Sequence, residues 1–158
     1  MSLALRRTLR PTPARPEQTN PPDAAAQLNI SVVFTTVPST LAALKKAGAL
    51  ANRLSAHITL IALQVVPHPL PLESPPILLD WNERRFCVIA EQSPVETTVH
   101  LYLCREPAAT LLGVLSPHSL VVIGGQKRWW PTAESRLASA LRSAGHEVIF
   151  AEAEKSHA

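Results

Sequence analysis

Five short apolar runs fall between residues 28 and 152, and a helix-length segment separates each from the next. Asn29 to Thr36 reads as a buried strand. The next segment starts a helix at Pro38-Ser39-Thr40 and repeats apolar Leu41, Leu44, Ala47, Ala51 and Leu54 on one face. His57 to Val66 is a second strand. A loop with Pro67, Pro69, Pro71, Pro75 and Pro76 follows, then a helix from Ile77 to Gln92. Val95 to Cys104 alternates as a third strand, and Pro107 to Leu115 is a short helix with proline in its first turn. Leu120 to Ile123 is the fourth strand. Thr132 to Ala144 is a helix that Thr132 caps and Gly145 stops at C′. Glu147 to Ala151 is the fifth strand. Strands separated by helices require right-handed crossovers. The expected fold is therefore α/β, a five-stranded, mostly parallel sheet sandwiched by helices.

Composition supports this reading at one point. Hydrophobic residues make up 46% of the 158 residues but aromatics only 4%, so aliphatic side chains must fill the core, as they do between sheet and helices. Residues 1–27 are different. Five prolines and four arginines (Arg6, Arg7, Arg10, Arg15) stand among small and polar residues, and the expectation is a disordered basic tail. Such a tail is either a tether to a partner or a solvated extension. The domain is expected over 28–152, with a polar tail at 153–158. Of the formal charge of +3, all but one unit belongs to residues 1–27. The domain is then nearly neutral, which argues against nucleic-acid binding. No apolar run reaches the ~20 residues that span a bilayer, and no signal peptide is apparent. The expected setting is cytoplasmic.

Several chemistries lack their residues. Aspartate occurs only at Asp23 and Asp80, so no acidic cluster can form at the strand ends. The first strand ends in Thr35-Thr36-Val37 without G-x-G-x-x-G, and no Walker A loop is present. Cys87 and Cys104 have no zinc-ligand spacing, and the six histidines form no i,i+4 pair. His57, His118 and His146 fall at strand starts, opposite any ligand site, and His68 lies in the proline-rich loop. Cys104 stands beside Arg105, which would lower its pKa and make it redox-sensitive; the alternative is a small buried apolar residue. Cys87 is expected to be inert. No G-x-S-x-G elbow exists. Nothing points to an enzyme, a metal or an obligatory cofactor.

One segment does point to a ligand. The fourth strand runs into Gly124-Gly125, then Lys127-Arg128-Trp129-Trp130, then a helix start. Beyond the carboxyl end of a strand, backbone N–H groups and a helix N-terminus can meet a phosphate. Lys127-Arg128-Trp129-Trp130 either grips phosphate and base or anchors the loop over the sheet edge.

The helix opening Ser39-Thr40-Leu-Ala-Ala-Leu44, the turn Arg105-Glu106-Pro107-Ala108, the strand Leu120-Val-Val-Ile-Gly124, and Leu141-Arg-Ser-Ala-Gly145 before Val148-Ile-Phe150 together resemble the universal stress protein family. The resemblance covers residues 28–152. It implies a Rossmann-like fold of the adenine nucleotide alpha hydrolase type, a homodimer formed through the last strand (Val148, Ile149, Phe150, Ala151), and in some members ATP binding. The binding members carry a carboxylate after the first strand, where this chain has Thr35 and Thr36. They carry G-x-x-G after the fourth strand, where this chain has Gly124 and then Lys127. Their later Gly-Ser/Thr pair falls on Glu134-Ser135, which puts a carboxylate in the path of phosphate. The expectation is a non-catalytic regulatory or partner-binding module that does not bind ATP in the family manner. The alternative is an adenine-nucleotide binder (ATP or AMP) built on Thr35, Thr36, Gly124, Gly125, Lys127, Arg128 and Ser135.

Overall fold

The protein is described by a computed structural model over residues 4–9, 28–66, 79–93, 95–126 and 132–153, with 4–9 and 79–82 described as backbone. Lys127 to Pro131 and the whole proline-rich loop, His68 included, lie outside the described residues.

Each apolar run becomes a strand. In chain order the elements are β1 (Ala4–Leu9), β2 (Asn29–Val33), α1 (Val37–Leu54), β3 (His57–Val65), α2 (Leu79–Glu91), β4 (Thr97–Cys104), α3 (Pro107–Val114), β5 (Leu120–Gly125), α4 (Ala133–Ser143) and β6 (Glu147–Glu152). They form one sheet of order β1-β4-β3-β2-β5-β6. The strands β2 to β6 are parallel throughout, as the crossovers require.

Strand alternation divides the core in two. Ile30, Val32, Ile58, Leu60, Val99, Leu101 and Val122 point to the face covered by α1 and α2. Val33, Ile61, Tyr102, Val121 and Ile123 point to the other, covered by α3 and α4 through Leu111, Ala138 and Leu141. The expected stripe of α1 is shifted slightly. Ala43, Leu44, Ala47 and Ala51 are buried, whereas Leu54, at the helix end, is half exposed.

Two expectations need correction. The five expected strands form the parallel sheet, but among the described residues a sixth joins it: residues 4–9, assigned to a disordered tail, pair antiparallel with β4 from Ala4↔Cys104 to Leu9↔Val99. The β4 edge, rather than a hydrophobic pattern within Ala4–Leu9, makes this strand possible. It presents unpaired N–H and C=O groups that any extended segment can satisfy. The second correction concerns Gly124 and Gly125. They belong to β5 and pair with Ala151 and Glu152 of β6, so the glycines continue the strand and do not form a loop.

Candidate functional site

The strand order reverses between β2 and β5: the chain leaves β2 for β3 on one side and reaches β5 on the other. In doubly wound sheets the ligand crevice opens at this switch point, beyond the carboxyl ends of the strands. Thr35, Thr36, Gly124 and Gly125 all lie at this end of the sheet.

The groups at this end of the sheet bond to one another. Thr35 Oγ1 donates to the Gly124 carbonyl at 3.0 Å and bridges the two strands across the switch point. Its backbone N–H donates to Thr40 Oγ1 at 3.1 Å. Thr36 is the N-cap of α1: its hydroxyl accepts the Ser39 N–H at 3.3 Å, and its carbonyl accepts the Thr40 N–H at 2.8 Å. The donors that a helix N-terminus would offer an anion are thus partly consumed by its own cap.

The glycines have a packing role. A Cβ on Gly124 would overlap the carbonyl of Ser39 and lie 3.1 Å from its Cα, so the first turn of α1 rests directly on the strand. A Cβ on Gly125 would meet the Phe150 ring at 2.6 Å and Glu134 Cβ at 3.4 Å. Both glycines are buried. The first turn of α1 packs on one of these glycines, and Phe150 and Glu134 pack on the other.

Ser135 is also engaged. It accepts the Thr132 N–H at 2.8 Å and donates to the Thr132 carbonyl at 2.9 Å, while its own N–H donates to Thr132 Oγ1 at 3.1 Å. This reciprocal cap satisfies the Thr132 and Ser135 N–H groups within the first turn of α4. On the α2 side, Phe34 and Phe86 meet edge to face at 4.9 Å, and the Arg85 guanidinium lies 5.6 Å from the Phe34 centroid. This cluster was missed in the sequence. Its only signal was Phe34 in the first expected strand and Phe86 on the apolar face of a helix. Lys127 and Arg128 lie outside the described residues.

The redox reading of Cys104 is overturned. The thiol is fully buried, with Sγ 3.8 Å from the Gln64 carbonyl. Burial pushes its pKa up, and a hydrogen bond with Thr110 offsets part of this. Arg105 Nη1 instead donates to the Val66 carbonyl at 2.7 Å, tying the turn before α3 to β3. Cys87, half-buried, is likewise raised by burial and then by Glu91 and Glu83. The histidines at the strand starts are structural. His57 Nε2 meets Thr98 Oγ1 at 3.0 Å, and buried His146 accepts the Ser119 N–H at 3.1 Å through Nδ1. Among the described residues no His/Cys/Asp/Glu cluster could hold a metal, and no helix is long and apolar enough to cross a membrane.

Of the expected dimer residues, Val148 and Ala151 are buried in the protein's own core, and Ile149 and Phe150 are half-buried. The Glu147 N–H donates to the Ser119 carbonyl just before β5 and the Ala153 N–H to the Gly125 carbonyl at its end, so odd-numbered residues of β6 turn their backbone toward β5 and even-numbered ones outward. The outward Val148 carbonyl accepts from Arg142 Nη2 at 3.2 Å.

These features place the chain among the open, doubly wound α/β folds. Within that class, it is similar to a universal stress protein from Archaeoglobus fulgidus, at 17% identity and a TM-score of 0.57 over 78% of this chain and 93% of that one. It is also similar to the universal stress protein UspA from Lactobacillus plantarum, at 14% identity and a TM-score of 0.51 over 78% of this chain and 97% of that one. The chain has the universal-stress-protein-like fold. No family profile and no curated protein matches its sequence, in keeping with a divergent sequence on that fold.

Proposed function

We propose that this protein is a non-catalytic regulatory module that acts through protein contacts and does not bind ATP in the manner of nucleotide-binding universal stress proteins. The observation that carries this reading is the Thr35 to Gly124 hydrogen bond across the switch point, with Ser39 packed against Gly124. Opening the crevice for a triphosphate would break that bond and lift the first turn of α1 from the strand. No carboxylate stands at Thr35 or Thr36, and Ser135 already spends its proton on its own helix cap.

The partner surface in this reading is the outer edge of β6, and the partner is a second copy. Phe150 and Glu152 turn backbone groups outward there. A proline at Val148 would remove an outward N–H without touching the β5 ladder. In sedimentation, wild type should run as a dimer and Val148→Pro as a monomer.

Thermal unfolding with and without Mg-ATP, AMP and cyclic AMP tests the nucleotide part. A ligand at 100 times its Kd would add about 2.7 kcal/mol of stability. The expected result is an unchanged Tm with all three. A clear rise with ATP would overturn the reading in favour of an adenine-nucleotide binder that uses Lys127 and Arg128.

A further inference from the structure

The sheet has two outer boundaries, and they are protected differently. β6 carries Glu147 and Glu152 at its ends, and Arg142 holds one of its outward carbonyls. Those devices restrict which strands can pair with it. β4 has none of them. Thr97-Thr-Val-His-Leu-Tyr-Leu-Cys104 contains no Asp, Glu, Lys, Arg, Pro or Gly, and it is rich in β-branched, aromatic and aliphatic residues. Such a strand, left open, is a template for pairing with its own kind.

β1 is what covers it. The Val66 N–H donates to the Cys104 carbonyl, so even-numbered residues of β4 turn their backbone toward β3 and odd-numbered ones toward β1. Leu5↔Leu103, Arg7↔Leu101 and Leu9↔Val99 are therefore the pairs that face each other across the ladder. Among the described residues, β1 rests mainly on β4, and no helix makes a comparable contact with it. A strand held along one side is among the least stable parts of a fold. The parallel strands β2 to β6 form a complete sheet without it.

We propose that the β4 edge is a self-association surface that β1 occludes, and that its occupant when β1 leaves is the β4 edge of a second copy. A two-fold axis pairs identical edges antiparallel, the orientation in which β1 already sits on β4. The result is a sheet continuous through both copies. This surface is separate from the β6 contact, so either can fail without the other.

The test uses the full chain. Leu5→Pro/Arg7→Pro removes two of the three inward donors of β1. Mass is followed by sedimentation across a concentration series, and β4 amides by hydrogen exchange. Placed in the Val148→Pro background, where no β6 contact can link β4 pairs into an open chain, the variant should reach about twice the mass of Val148→Pro alone at the same concentration, with the Val99, Leu101 and Leu103 amides still protected. An excess of a synthetic peptide of residues 2–10 should return it to the mass of Val148→Pro alone. Adding His100→Asp, which brings like charges together across the new contact, should do the same. An unchanged mass with rapidly exchanging β4 amides would overturn the proposal. So would a doubling that neither the peptide nor His100→Asp reverses. Exchange of the labelled peptide into unmodified protein is a second measurement that depends on no variant. Peptide uptake at β4 supports the occluded edge, and no uptake at any excess counts against it.

Discussion

A methyl group on Gly124 would strike backbone, whereas one on Gly125 would strike the end of a side chain. The first collides with the Ser39 carbonyl, which cannot move unless α1 shifts as a body. The second meets Phe150 Cζ, and a half-buried ring can tilt away. Overpacking a core ordinarily costs about 1–3 kcal/mol. Gly124→Ala should lie at or beyond the upper end of that range and Gly125→Ala near the lower, as read from urea midpoints at constant m. Neither cost should change with ATP present. The two thiols differ in a similar way. Both are raised by burial, but Cys104 is sealed behind β4 and α3 while Cys87 is partly open. The thiolate is the reactive form. Alkylation at pH 8 should therefore label Cys87 slowly and Cys104 only through unfolding, with Cys104 labelling rising steeply in urea.

Helix ends account for the residues that looked most like ligand groups. Thr36 and Ser135 were candidates because hydroxyls at helix starts can contact phosphate; the same hydroxyls can contact the helix itself, and here they do. Replacing a threonine N-cap by alanine costs about 1 kcal/mol. Thr36→Ala and Thr132→Ala should each lose that much in chemical denaturation and leave any nucleotide response at its wild-type level. The same element scale shows what could be read from sequence. The α1 stripe, the Thr132 cap and the Gly145 stop (φ 94°) were legible because each follows from local rules of period and cap. Gly124-Gly125 was set past the end of the fourth strand because glycine ordinarily interrupts one. Only the bulk of Ser39 and Phe150, remote in sequence, shows that a strand needs glycine there. β1 was invisible for a related reason. Arg6-Arg7 breaks alternation and prolines follow, and the edge that orders it lies about 90 residues away, a non-local pairing that no short window contains.

Across the whole molecule, the five parallel strands act as one body between two core layers, and Cys104 lies inside it. That couples the thiol to global stability, with a sign that can be worked out. Its folded pKa is raised, chiefly by burial, above the unfolded value. The protonated thiol is therefore the form the fold favours. Its contribution is fully present below the ordinary thiol range and is lost as pH rises through the raised folded value. Cys104→Ala removes the ionisable group with a small loss of volume, so it should remove this dependence. Between pH 6 and 8 the two proteins should show parallel stability. At more alkaline pH the wild type should fall away from the variant, with a limiting slope of about 1.4 kcal/mol per pH unit for one thiol. Urea unfolding at a series of pH values measures the difference directly. Parallel curves to pH 11 would mean that water reaches Cys104 in the folded state. The layer between β4 and α3 would then be looser than its buried Tyr102, Cys104 and Leu111 describe.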